Sequence, residues 1–169
     1  MKEDDVATLA RHVVAALRER HESVATAESL TGGLLCAALV DVPGASAVVR
    51  GAVVAYAPEV KIARLGVESA LIEAHGTVDA RVAAQMAAGV RETLGASWGL
   101  ATTGVAGPDP SEGKPVGTVH VALHGPGERL VSLALDLAGD RGEIRRSTVA
   151  ATLRALAGTL GEEADASGR

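Results

Sequence analysis

A strand, a sharp turn and a helix are written back to back between residues 24 and 40, which restricts the chain to folds that lay helices on a sheet. Val24 to Ala27 is short, small and partly β-branched, as a buried strand is. Ser29, Thr31, Gly32 and Gly33 then arrive together, and Leu34 to Val40 resumes as an apolar helical run. A turn of this kind leaves backbone N–H groups unpaired at the helix start. Those donors and the positive end of the helix dipole favour an anion or a developing oxyanion. Ser29 is therefore a candidate nucleophile, with Glu28, Thr31, Gly32 and Gly33 as candidate substrate contacts. The alternative is that Ser29 or Thr31 simply caps the helix.

The remaining pattern repeats the same alternation. Asp5 to about Glu22 carries Val6, Leu9, Val13, Val14 and Leu17 at helical spacing. Asp41-Val42-Pro43-Gly44 is a turn, and Val48 to Tyr56 is an almost wholly apolar strand expected at the centre of the sheet. A helix from Pro58 to Leu65 follows, with Pro in its first turn and Gly66 to end it. Glu68 to Ala74 predicts a short helix. Asp79 to Leu94 predicts a longer one, capped by Asp79, with Val82, Met86, Gly89, Val90 and Leu94 on its buried stripe. Trp98 to Thr103 is the third strand, and Gly104 to Pro115 is a long Gly/Pro/Asp loop of the kind that serves function or is disordered. Gly117 to Leu123 and Arg129 to Leu137 predict a hairpin. Gly142 to Leu160 predicts the last helix, and Gly161 to Arg169 a disordered polar tail. The order predicts one domain over residues 1–160, a three-layer α/β/α sandwich with a mixed, mostly parallel sheet.

At 169 residues the chain buries about 70% of its unfolded surface, enough for such a sandwich. Trp98 and Tyr56 are the only aromatic residues, so the core must be built from Ala, Val and Leu. The net charge of −5, with no basic face visible, and the scarcity of aromatics argue against nucleic acid or an anionic membrane as partner. Cys36 is the single cysteine, which excludes an intrachain disulfide. Met1-Lys2-Glu3-Asp4-Asp5 is acidic and unlike a signal peptide, and no apolar run reaches the ~20 residues of a bilayer span. A cytoplasmic location is expected. The Ala-rich helices (Val82 to Val90, Val149 to Leu160) offer faces for a homo-oligomer.

Metal and phosphate-loop motifs fail on spacing. Gly107 to Lys114 has five residues between its glycines where a P-loop has four, and Pro115 stands where Ser or Thr would bind magnesium. His120 and His124 on one strand would lie about 13 Å apart. No metal site and no cofactor are expected.

Tyr56 stands where the second strand ends, and Lys61 follows in the next helix. Lys61 is the only lysine between Lys2 and Lys114, in a chain that otherwise uses arginine. Arginine keeps its proton at neutral pH, whereas a desolvated lysine can lose it. Loops after parallel strands converge on one edge of the sheet, which would bring Ser29, Tyr56 and Lys61 together. Lowering the Lys61 pKa from about 10.4 toward 7 costs roughly 4 kcal/mol. Tyr56 could then pass a proton to a leaving group. Thr103 could bond Lys61 or Ser29, while N–H groups around Gly104 and Gly107 could hold an oxyanion. Arg141, near the start of the last helix, could clamp a phosphate. The alternatives are a solvated lysine, an ordinary Gly-rich turn and a solvated arginine.

Thr26-Ala27-Glu28-Ser29-Leu30-Thr31-Gly32-Gly33, Tyr56 to Lys61, Thr103-Gly104-Val105-Ala106-Gly107-Pro108 and Lys114-Pro115-Val116-Gly117-Thr118-Val119 occur in this order. Together they resemble the CinA C-terminal domain family of nicotinamide-nucleotide amidohydrolases, over residues 6 to 160. The resemblance implies metal-free deamidation of nicotinamide mononucleotide to nicotinate mononucleotide and ammonia. It implies Ser29 as nucleophile, Lys61 and Tyr56 as proton-handling partners, and Arg141 as a substrate contact. The chain departs from the family pattern at Leu30, where Cys is common, and at Ala57-Pro58, where Ser-Asn is common. Many members carry a further N-terminal domain, for which 169 residues leave no room. Two other readings remain: a nucleotide-binding or assembly module without turnover, and an amidase for another nucleotide carboxamide.

Overall fold

The structure is a computed structural model that describes residues 6–167, with side chains described for residues 6–162. The elements are α1 (Val6–Glu19), β1 (Val24–Glu28), α2 (Leu34–Val40), β2 (Val49–Val54), α3 (Pro58–Leu65), α4 (Ser69–His75), α5 (Ala80–Thr93), β3 (Trp98–Gly104), β4 (Thr118–Gly125), β5 (Arg129–Asp136) and α6 (Arg141–Ser167). The five strands form one sheet in the order β2-β1-β3-β4-β5. β1 pairs in parallel with β2 and β3, whereas β4 runs antiparallel to both β3 and β5. Helices cover both faces, giving the expected three-layer α/β/α sandwich.

The two faces differ in bulk, and the difference follows from the period of two along each strand. Val24, Trp98, Leu100, Val119, Val121 and Leu123 pack with Leu9, Val13, Leu17, Leu35, Leu153 and Leu156 of α1, α2 and α6. The opposite face presents Ala25, Ala27, Ala101 and Ala122 to Val82, Met86 and Val90 of α5 and Leu65 of α3. Small residues let α5 lie close. A Cβ on Gly99 would stand 2.0 Å from the Ala87 carbonyl oxygen, and one on Gly89 would stand 1.8 Å from that of Leu65.

Several expected boundaries differ. β2 is an edge strand rather than a central one, alternating half-buried and exposed residues. Its apolar composition concealed this, although Arg50 in mid-strand marks an open edge. α6 continues through residues 161–167, where a disordered tail was expected. Glu162, Glu163, Ala164 and Ala166 are good helix formers and prolong it. The apolar residues of the two Ala-rich helices, Val82, Met86, Val90, Val149, Leu153 and Leu156, are spent inside this chain. Among the described residues the exposed large apolar groups are instead Leu34, Val40, Val54, Tyr56, Ile62 and Leu130. Residues 1–5, where the acidic N-terminus was noted, lie outside the described residues. Among the described residues no helix is long and apolar enough to cross a membrane.

Candidate active site

The sheet order reverses direction at β1, since the chain goes to β2 on one side and returns as β3 on the other. A crevice at the carboxyl ends of such strands is the usual ligand site of an open α/β sheet. The strand period decides which way each residue there points. Glu28, last in β1, turns toward α2. Ser29, the next residue, turns to the opposite face, where α3 lies, and its N–H donates to the Thr102 carbonyl at 3.0 Å.

Ser29 is 8% exposed and Lys61 1%. The Lys61 Nζ donates to Ser29 Oγ at 3.1 Å, to the Ala55 carbonyl at 2.7 Å and to the Tyr56 carbonyl at 3.2 Å. Lys61 lies in the first turn of α3, and helical side chains lean toward the N-terminus, so its amine returns to the end of β2. Burial pushes the Lys61 pKa down from 10.5 to about 8, against the opposing pull of the Glu112 carboxylate. Two carbonyls can only accept, so they hold two of the amine's hydrogens. The remaining position of the nitrogen faces Ser29 Oγ. In the neutral amine that position is a lone pair, aimed at a hydroxyl proton.

Glu28 is wholly buried and keeps the turn in shape. Its carboxylate accepts from the Thr26 hydroxyl at 2.9 Å and from the amides of Gly33, Leu35 and Cys36 at 2.9, 3.0 and 2.8 Å. The N-terminus of α2, expected to await an anion, thus already holds one. Through these four hydrogen bonds Glu28 supports the turn. Thr31 is also buried, and its hydroxyl lies 2.8 Å from that of Thr102. Gly32 and Gly33 take φ of +56° and +101°, a left-handed turn that glycine makes without strain. The Leu30 and Thr31 amides donate to no acceptor among the described residues.

Tyr56 and Thr103 are placed otherwise than expected. The Tyr56 side chain is 62% exposed, and its phenol oxygen accepts from Arg141 at 3.1 Å; only its backbone carbonyl meets Lys61. Thr103 donates to the Thr77 carbonyl at 2.9 Å, not to Lys61 or Ser29. It alternates with Thr102 along β3, and the segment joining α4 to α5 supplies the acceptor on its face. Gly104 ends β3 against Thr118 and Val119, which leave no room for a Cβ. Gly107, at φ +84°, offers its carbonyl to Arg141 at 2.7 Å. Arg141 thereby joins the long loop to the rim at Tyr56.

Sequence reasoning missed Arg145. Its Nε and Nη2 donate to the carbonyls of Leu30 and Thr31 at 2.8 and 3.1 Å, tying the Ser29 turn to α6. One signal was available: Arg145 lies four residues after Arg141, hence on the same helix face. No group of three or more His, Cys, Asp or Glu side chains among the described residues is arranged to hold a metal ion.

Comparison with known proteins identifies the family and agrees with the fold. Residues 6–160 match the family model described as the CinA C-terminal domain. A CinA-like protein of Frankia casuarinae is 52% identical over 160 residues, 92% of this chain and 37% of that protein. One from Gloeobacter violaceus is 47% identical over 154 residues, 90% of this chain and 36% of that protein. The chain thus spans little more than a third of these relatives. Among solved structures, the competence/damage-inducible protein CihA of Agrobacterium tumefaciens is 36% identical with a TM-score of 0.89, covering 93% of this chain and 96% of that one. A CinA-superfamily protein of Klebsiella pneumoniae is 30% identical with a TM-score of 0.91, covering 94% and 99%.

Proposed function

Because the chain belongs to the CinA C-terminal domain family, we propose that it hydrolyses the carboxamide of nicotinamide mononucleotide to nicotinate mononucleotide and ammonia. The observation that carries the reading is the Lys61 amine, held by two carbonyls with its third position 3.1 Å from Ser29 Oγ. Ser29 Oγ attacks the amide carbon while neutral Lys61 takes the hydroxyl proton. The carbonyl oxygen becomes an oxyanion, for which the Leu30 and Thr31 amides are the available donors. The tetrahedral centre collapses, the C–N bond breaks, and Lys61 returns the proton to the departing ammonia. Water then adds to the Ser29 ester, giving one proton to Lys61, which passes it to the Ser29 oxygen as that C–O bond breaks; the acid released gives its remaining proton to the ammonia, leaving carboxylate and ammonium.

Lys61 is assigned the whole proton traffic because the Tyr56 phenol is turned to Arg141. Tyr56 and Arg141 together form an exposed polar rim suited to the substrate phosphate. The steps draw on protein groups and water alone. A second reading, a nucleotide-binding module without turnover, is favoured by Ala57-Pro58, which leaves the N-cap of α3 without a polar side chain. Calorimetry with nicotinamide mononucleotide, paired with an ammonia assay, separates the two. The amidase reading expects ammonia in step with nicotinate mononucleotide. Tight binding with no ammonia over hours would replace it by the module. Ammonia from a different nucleotide amide, with none from this one, would keep the chemistry and change the substrate.

A further inference from the structure

The long loop between β3 and β4 is pinned at two places, and the second pin is not used in the chemistry above. Ser111 and Lys114 close a tight turn, with mutual backbone hydrogen bonds of 3.1 and 2.8 Å, which puts Glu112 at its tip with φ +53°. From there the Glu112 carboxylate reaches the segment joining α4 to α5. It accepts from the Thr77 amide at 2.9 and 3.0 Å, from the Thr77 hydroxyl at 2.7 Å and from the Val78 amide at 3.0 Å. Lys114 Nζ donates to the His75 carbonyl at 3.0 Å and stands 4.0 Å from Glu112. On its other side Thr77 accepts from Thr103, the end of β3. Gly76 has to lack a side chain here, since a Cβ would fall 2.4 Å from Glu112 Oε2. With Arg141 holding Gly107, both halves of the loop are fixed against neighbouring elements.

We propose that Glu112 is a positioning residue, which latches this loop to the α4–α5 segment as a fixed wall of the Ser29–Lys61 site. The proposal rests on the amidase reading for its catalytic consequence, and on hydrogen bonds alone for the latch. Burial pushes the Glu112 carboxyl up, but the Thr77 and Val78 donors and Lys114 outweigh it and hold the group below the usual carboxylate range. It therefore stays charged at neutral pH. The other charged or titratable groups around this corner are Lys114 on the loop, His75 at the end of α4 and His120 on β4. Asp79 and Arg81 at the start of α5 are closed on each other at 2.9 Å. Arg141 faces the rim from α6, and Glu59 and Arg64 lie on α3 itself. Of all these, Glu112 is the one whose charge raises the Lys61 pKa against burial.

Two variants divide the latch from the charge. Glu112→Ala removes both. The expected result is a KM for nicotinamide mononucleotide raised on the order of ten-fold, with the acid limb of the pH–rate profile moved to lower pH because Lys61 loses its proton more readily. Thr77→Val removes one donor and keeps the charge, so KM rises while the acid limb stays. A purely structural residue would not move the limb. A Glu112→Ala variant with unchanged KM and unchanged limb overturns the proposal. Amide hydrogen exchange of residues 105–116 is read in the same variant and needs no turnover. Faster exchange supports the latch even if the wild type proves inactive on this substrate, and unchanged exchange sinks it.

Discussion

Replacing Lys61 with methionine should make the protein's pH dependence of stability change in a calculable way. Methionine keeps the length and flexibility of the side chain and removes the charge. A lysine pKa lowered from 10.5 to about 8 corresponds to about 3 kcal/mol, at about 1.4 kcal/mol per pH unit. The sign follows from proton counting. Below pH 8 the lysine is charged in both folded and unfolded chains, and the full penalty of burying the charge is present. Between pH 8 and 10.5 the unfolded chain binds a proton that the folded chain does not, so wild-type stability rises with pH. Above 10.5 both states are neutral and the penalty is gone. In the variant the Ala55 and Tyr56 carbonyls lose their donor, at about 1–3 kcal/mol each, but that loss does not vary with pH. The unfolding free energy of wild type minus that of Lys61→Met should therefore climb by about 3 kcal/mol from pH 7.5 to 10.5. Urea denaturation of both proteins at half-unit steps measures it, and titrations common to both cancel in the difference. A difference that stays flat within about 0.5 kcal/mol would refute a buried, proton-poor lysine.

Other consequences follow from the same geometry. If neutral Lys61 is the base, ammonia release should rise with pH through an apparent pKa of about 8, and kcat should have no acid limb at pH 5–6 of the kind a histidine base gives. Glu28→Gln replaces an acceptor of three backbone amides at the start of α2 with a group that is itself partly a donor. It should lower stability by about 2–4 kcal/mol in thermal or urea unfolding, and an effect under 0.5 kcal/mol would mean that the turn does not depend on it. Arg141→Ala should raise KM on the order of ten- to a hundred-fold, with less effect on kcat, in steady-state kinetics on the mononucleotide and its dephosphorylated nucleoside. Equal losses on both compounds would remove the phosphate from its role.

Much of the architecture was legible in the sequence because it is set by local rules. Asp79 caps α5 and Pro58 opens α3, and Gly66 closes α3 at φ +67°. The stripes of α1 and α5 face inward at their expected spacing. Strand position was not legible: Val49 to Val54 looks central by composition and lies at the edge, since pairing depends on which strand returns beside β1. The Ser29–Lys61 contact was foreseeable because loops after parallel strands converge. The partners of Thr103, Glu28 and Arg145 were not, because each depends on side-chain direction and on a distant segment. Glu28 illustrates the limit. Its residue type suits a substrate contact, and only the period along β1 turns it under α2 to occupy the anion site that the sequence left open.

The most direct test of a serine nucleophile driven by a buried lysine is ammonia release from nicotinamide mononucleotide by Ser29→Ala. Among the described residues the Ser29 hydroxyl is bonded to Lys61 alone, so the variant should keep the wild-type circular dichroism and fold. It should lose on the order of a thousand-fold or more in turnover. A correctly folded Ser29→Ala that released ammonia at the wild-type rate would contradict the account.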